Sequence, residues 1–291
     1  MTENCAMNPA VTPEAIELEL KFGFPDGSAD EIERALVAAD LSAESLGTQL
    51  LDNQYFDTCD GLLHHQNVAI RVRSIGAAHE MTVKIRAPDE GGLTRRQEWN
   101  VSIATPHLAM DALTALPLPP DVLSAISGHR LQPVFSNRFH RTDWRVTLAS
   151  TTMMVSFDQG LVSSAHTSSP VSEIEIELLT GHISELIDAG LRLTDRLPVY
   201  LAVISKAERG DCVIRQQPPR SIQSSDAMDQ LHAVSRALDP LSGPDYASAI
   251  RGLEALGLSA SACAQLSQGQ IPIGLARWMV ERSMEDWRDA L

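Results

Sequence analysis

The sequence predicts an α+β fold: an eight-stranded antiparallel β-barrel with a charged lumen, covered by helices and followed by a short helical C-terminal tail. Three observations lead there. Several segments of strand length alternate apolar and charged residues with period two, the spacing of a strand and not of a helix. Most connections between these segments are short, which makes neighbours antiparallel. Amphipathic helical segments are interspersed, and the apolar strand faces are the surface on which their apolar stripes can pack.

The first strand is EAIELELKFGF, residues 14–24, with Ile16, Leu18, Leu20 and Phe22 on one face and Glu17, Glu19 and Lys21 on the other. SADEIERALVAADL (28–41) opens with a capping box, Ser28 to Glu31, and continues as a helix. Strands follow at 49–58, 69–75, 80–88 and 93–103, with turn residues Asp60-Gly61, Gly76 and Gly91-Gly92 between them. Residues 107–127 read as a helical excursion broken at PLPP, after which strands resume at 134–148, 152–162 and 171–181. A helix at 183–197 comes next, then the stretch VISKAERG (203–210).

The same parity recurs along the chain. Arg71 and Arg73 share a face opposite Ile70 and Val72; Lys84 lies opposite Val83 and Ile85; Arg96 and Glu98 share a face; Glu173, Glu175 and Glu177 line up opposite Ile174, Ile176 and Leu178. With helices on the apolar faces, the charged faces look away from them, and in a curled sheet they look at one another. Eight strands enclose room for about one small ligand. Uncompensated charges in such a space are costly, so a lumen with bases on some walls and acids on others suits a polyanion chelated to metal ions. Guanidinium forks match phosphate oxygens, and carboxylates match Mg²⁺ or Mn²⁺.

Composition narrows the classes. A hydrophobic fraction of 44% supports a real core, and no apolar run is long enough to span a membrane. The N-terminus lacks a basic region followed by an apolar one, so no signal peptide is expected. Cys5, Cys59, Cys212 and Cys263 are far apart, which fits a reduced, cytoplasmic setting without a disulfide framework or a zinc site. A formal net charge of −15 disfavours nucleic acid and anionic membranes as partners, leaving a small-molecule ligand and room for a homodimer. Trp99 and Trp144 read as packing residues. His64-His65 is set aside as a metal pair, because adjacent residues on a strand point oppositely.

Glu17-x-Glu19-x-Lys21, QYFDT followed by Arg71-x-Arg73, MTVK, RRQEWNV, FSNRFHRTDW, FDQG, EIEIELLTG and SKAERG, in that order, resemble the CYTH family of triphosphate tunnel metalloenzymes. The resemblance covers 14–215 and is nearest to the bacterial inorganic triphosphatases. It implies a charged tunnel in which tripolyphosphate is hydrolysed to pyrophosphate and phosphate with Mg²⁺ or Mn²⁺. Thiamine triphosphatase, type IV adenylate cyclase and a non-catalytic polyphosphate-binding module are the alternatives. Carried over by position, Lys21, Arg71, Arg73, Lys84, Arg96, Arg141 and Lys206 bind substrate, with Glu98 matched beside Arg96. Glu17, Glu19, Asp158, Glu173, Glu175 and Glu177 hold metal, and Glu17, Glu19 and Lys21 form the catalytic signature. Arg209 reads as structural.

The resemblance ends before the tail. Residues 222–291 read as three helices forming a separate C-terminal region, with no segment lining the tunnel, and their acidic balance argues against polyphosphate binding there.

Overall fold

The computed structural model describes residues 11–86, 93–217 and 226–287. Cys5, the Gly91-Gly92 turn and the tail residues 222–225 and 288–291 lie outside the described residues. In chain order the elements are β1 (Val11–Gly23), α1 (Ala29–Ala38), β2 (Ser42–Asp57), α2 (Leu62–His65), β3 (Val68–Ile75), β4 (Ala78–Arg86) and β5 (Leu93–Ile103). Then come α3 (Met110–Thr114), α4 (Pro120–Gly128), β6 (Gln132–Leu148), β7 (Thr151–Ser163), β8 (Ser168–Thr180), α5 (Ile183–Thr194), β9 (Tyr200–Leu201) and α6 (Lys206–Arg215). The tail holds α7 (Ala227–Leu238), a 3-10 turn (Pro240–Ser242), α8 (Tyr246–Ala255), α9 (Ala260–Leu266) and α10 (Leu275–Trp287).

The strands follow the order β5-β4-β3-β2-β6-β7-β8-β1, and β1 pairs back to β5, so eight antiparallel strands close into a barrel; β9 adds a short outer pairing to β1. Strand β1 makes the closure possible by dividing its length. Val11–Leu20 pairs with β5, and Glu19–Gly23 pairs with β8.

Because the lumen is charged, the apolar cores lie outside the barrel. The first packs the outer faces of β1, β7 and β8 (Leu20, Phe22, Val155, Phe157, Ile174, Ile176) under α1, α5 and the tail helices. Gly190 lets α5 press onto β1, since a Cβ there would stand 2.9 Å from Leu20. The second core packs the outer faces of β3, β4 and β5 (Ile70, Val72, Met81, Val83, Trp99, Val101) under α2, α3 and α4. Trp99 and Trp144 are both buried, as packing residues should be. Ser28 caps α1 by accepting from the Glu31 amide at 3.3 Å and donating to the Glu31 carboxylate at 2.7 Å.

Four expectations are corrected. Strand β2 starts at Ser42 and not near residue 49; its first nine residues are exposed, so no buried face imposed an apolar alternation there. His64 and His65 belong to a single helical turn, so the strand argument that pointed them apart does not apply. The tail contains a fourth helix, α9, which buries only Cys263 and Leu266 and therefore left little periodic signal. The tail also reaches the tunnel, because Arg236 on α7 lines the central cavity. Tail residues Leu231, Val234, Leu253, Leu266, Ala276 and Met279 are part of the first core.

Candidate functional site: a charged tunnel

The barrel encloses a cavity of about 760 Å³. Strand register decides which charges meet inside it, because residues directly opposite on paired strands interact most closely. Glu17 lies opposite Arg96, Lys84 opposite Glu98, Lys21 opposite Glu175, Arg141 opposite Asp158, and Asp158 opposite Glu173. Every residue expected at the site from the sequence is a described residue on one of these strands or, for Lys206, on the first turn of α6.

Two groups of ion pairs result. On the β4–β5–β1 wall, Lys84 Nζ stands 2.7 Å from Glu17 and 2.8 Å from Glu98, and Arg96 Nη1 stands 2.9 Å from Glu19. Burial alone would raise the Glu98 carboxyl, but Lys84 and Arg71 outweigh it and draw it down to about 2. On the β6–β7–β8 wall, Arg141 grips Asp158 through Nε and Nη2, both at 2.6 Å, and reaches Glu175 at 2.5 Å. Lys206 Nζ reaches Asp158 at 2.6 Å, Glu175 at 2.8 Å and also Glu173.

Arg71 and Arg73 differ from these bases. Among the described residues, no carboxylate lies within ion-pair distance of either. Arg73 Nε donates to Asn53 Oδ1 at 2.8 Å, while the buried Arg71 Nε has no acceptor. Burial, then the facing Arg71 and Arg141 cations, press the Arg73 guanidinium down to about 9. Arg71 and Arg73 are thus two half-buried guanidinium groups outside any ion pair, although Glu98 and Glu17 attract Arg71 at longer range.

Tyr55 is a lumen residue that the sequence reading missed. It is paired with Arg71 across β2–β3, and its ring stacks on Phe135 with centroids 4.3 Å apart. Burial would raise its phenol, but Arg71, Lys206 and Arg73 outweigh burial and hold it below the ordinary value. Its place opposite Arg71 in the strand register is the signal that could have found it. The neighbouring Asp57 is structural, since its carboxylate accepts from the backbone amides of Thr58, Leu63 and His64 and fixes α2 at the cavity mouth.

The six expected metal ligands fall into two sets. Carboxylate oxygens of Asp158, Glu173 and Glu175 lie within 4.8 Å of one another, a cluster that could hold a metal ion, with the Lys206 ammonium bonded to all three. Glu17, Glu19 and Glu177 lie at the β1–β8 junction, where Glu19 is directly opposite Glu177. Glu177 has no ion-pair partner among the described residues. Burial, then repulsion from Glu17, raises it to about 7; burial raises Glu19 to about 6, against the pull of Arg96. These acids repel one another in a way that a hard cation between them relieves. Lys21 turns one N–H toward the Ile204 carbonyl at 2.7 Å, which ties β1 to the segment entering α6.

The fold and site define a closed antiparallel barrel with a charged tunnel, its acids and bases largely paired and Arg71 and Arg73 outside any ion pair. Residues 15–210 match the CYTH domain, and the chain belongs to the CYTH family. Among curated proteins it is similar to the inorganic triphosphatase of Haemophilus influenzae, 29% identical over 194 residues, which cover 67% of this chain and 54% of that relative. The chain thus spans about half the length of the curated relative it matches. Two solved structures are also similar. One is a Hippeastrum protein described as an adenylyl cyclase candidate with a dominant triphosphatase activity, with 18% identity, TM-score 0.48 and coverage of 69% of this chain and 96% of that one. The other is a Bacillus halodurans protein described as an adenylate cyclase candidate, with 22% identity, TM-score 0.37 and coverage of 58% and 83%. No helix among the described residues is long and apolar enough to cross a membrane.

Proposed function

We propose that the chain is a metal-dependent phosphoanhydride hydrolase that cleaves inorganic triphosphate to pyrophosphate and phosphate inside the barrel. The observation that carries this reading is the pair of guanidinium groups, Arg71 and Arg73, that line the same lumen as the carboxylates without forming an ion pair among the described residues. The name of the Haemophilus influenzae relative supports the substrate class.

In this reading Arg71 and Arg73 fix the phosphate chain by charge-assisted bonds, and Tyr55 donates its hydroxyl proton to the same phosphate face. Lys84, Arg96, Arg141 and Lys206 exchange part of their contact with carboxylates for phosphate oxygens, keeping the lumen neutral as substrate enters. Glu17, Glu19 and Glu177 would hold one Mg²⁺ or Mn²⁺, and the Asp158–Glu173–Glu175 cluster is the second acidic set. A bound divalent ion supplies charge neutralisation at the phosphoryl oxygens and a water made more acidic for attack on phosphorus.

The test is release of phosphate and pyrophosphate from tripolyphosphate, ATP and thiamine triphosphate, with Mg²⁺ or Mn²⁺ and with chelator. Rapid, chelator-sensitive hydrolysis with tripolyphosphate preferred is the expected result. Hydrolysis that survives chelation, or binding without turnover of any of the three, sinks the reading.

A dependence on pH follows from the raised acids. A carboxyl whose folded-state pKa lies above its ordinary value favours folding most below that ordinary value, and the advantage is lost as pH rises through about 6 for Glu19 and about 7 for Glu177. Glu98 and Glu175, held below the carboxylate range, are already ionised above pH ~5 and add no slope there. A cation that binds ionised Glu19 and Glu177 therefore stabilises the protein more at pH ~8 than at pH ~5.5. Thermal melts with and without Mg²⁺ at both pH values measure this, and an increment of melting temperature that does not change with pH contradicts it.

A further inference from the structure

Helix α6 places a lumen cation, yet the helix does not itself favour that placement. Lys206 is its first residue, after the Ser205 cap, where the helix dipole opposes a positive charge. A helix of ten residues is also marginal without tertiary support. On the barrel side, α6 rests on Phe135, whose ring would lie 2.3 Å from a Cβ at Gly210.

Val213 on α6 also packs on Val162 and Val171 of the barrel, and further support comes from beyond the segment that matches the family. Arg209 on α6 donates to both oxygens of Asp239, at 2.7 and 2.6 Å, and each side chain is only 4% exposed. Asp239 is fixed in turn by the Leu241 amide at 2.9 Å. Arg236 on α7 pairs with Glu208 on α6. Ser235 Oγ accepts from the Val203 amide at 3.1 Å, in the segment that leads into α6. Three tail residues, Ser235, Arg236 and Asp239, thus meet α6 and its entry, and the far end of that helix turn is the ammonium among Asp158, Glu173 and Glu175.

We propose that Ser235, Arg236 and Asp239 are positioning residues for Lys206: the tail clamps α6 so that its first residue projects into the lumen and helps grip the triphosphate. The proposal rests on the reading of Lys206 as part of that grip. It gives the helical tail a share in the site although no tail residue belongs to the family-matched segment.

The test is a double-mutant cycle in the full-length chain. Tripolyphosphate affinity by calorimetry in chelator, and kcat/KM with Mg²⁺, are measured for Asp239→Asn, Lys206→Ala and the double variant, with melting curves to show that each is folded. Asp239→Asn is expected to weaken affinity roughly tenfold in the wild type and by less than about twofold in the Lys206→Ala background, the mark of two residues acting through one contact. Ser235→Ala, which removes one hydrogen bond and no buried charge, carries the same comparison if Asp239→Asn melts below the assay temperature. Losses that multiply in full, or a folded tail variant that binds like the wild type, overturn the clamp and leave the triphosphate reading standing. A Lys206→Ala variant that binds like the wild type removes the role of Lys206 and the clamp together.

Discussion

Arg71→Ala is expected to weaken tripolyphosphate binding by roughly 10- to 150-fold, the equivalent of about 1.5–3 kcal/mol for charge-assisted bonds lost from a buried site. Arg73→Ala should fall in the same range. The prediction is strongest at these two positions because neither has a carboxylate to give up: Lys84, Arg96, Arg141 and Lys206 each trade an ion pair for a phosphate contact, whereas Arg71 and Arg73 gain theirs outright. Stability should change little. Arg71 repels Arg73 but attracts Glu98 and Glu17, and these opposing effects leave the empty Arg71→Ala variant melting close to the wild type. Calorimetric titration with tripolyphosphate and a thermal melt check both halves. A variant with unchanged affinity shows that the phosphate chain does not run along β3.

Glu19→Gln is expected to reduce turnover by about 100-fold or more, beyond the 10–100-fold typical of losing a group that merely supports a metal ligand. Binding and folding should suffer far less. Glu19 is 2% exposed and already raised to about 6, so a neutral amide of the same shape is well tolerated in its place. Arg96, bonded to Glu19 at 2.9 Å, is left freer to meet phosphate. Turnover titrated against Mg²⁺ or Mn²⁺, beside triphosphate affinity, separates the two effects. A Gln variant with the wild-type metal requirement would make the β1 acids a polar lining and nothing more.

What could be read in advance depended on whether burial left a mark. Leu18, Leu20 and Phe22 on β1, and Ile174, Ile176 and Leu178 on β8, pack under helices while Glu17, Glu19, Lys21, Glu175 and Glu177 line the lumen, so parity alone sorted these charges. The helix α1 was legible from its cap and its Ile32–Leu36 stripe, both of which the fold uses. The first half of β2 was not legible, because Ser42–Leu50 forms an exposed ribbon with the end of β6, held by backbone pairing and polar cross-strand pairs such as Thr48–Thr142 and Glu44–Arg145 that impose no apolar alternation. His64 and His65 misled for a different reason: Asp57 winds the chain after β2 into one helical turn, a local choice made by three backbone amides. The division of the acids into two sets, and the openness of Arg71 and Arg73, depend on strand register across the closed barrel. No single strand contains that information. Nor could the tail announce its contact with α6, since Arg209 and Asp239 are thirty residues apart and are brought together only by the tertiary fold.

The family match stops at residue 210, halfway along α6, which runs from Lys206 to Arg215. A chimera spliced there would inherit half a helix, lose the Asp239 partner of Arg209, and strip Leu231, Leu253 and Met279 from over the outer face of β1. The segment recognisable across relatives is therefore shorter than the segment that can be exchanged between them. For grafting, shuffling or directed evolution of this barrel, the transferable cassette has to carry its own tail.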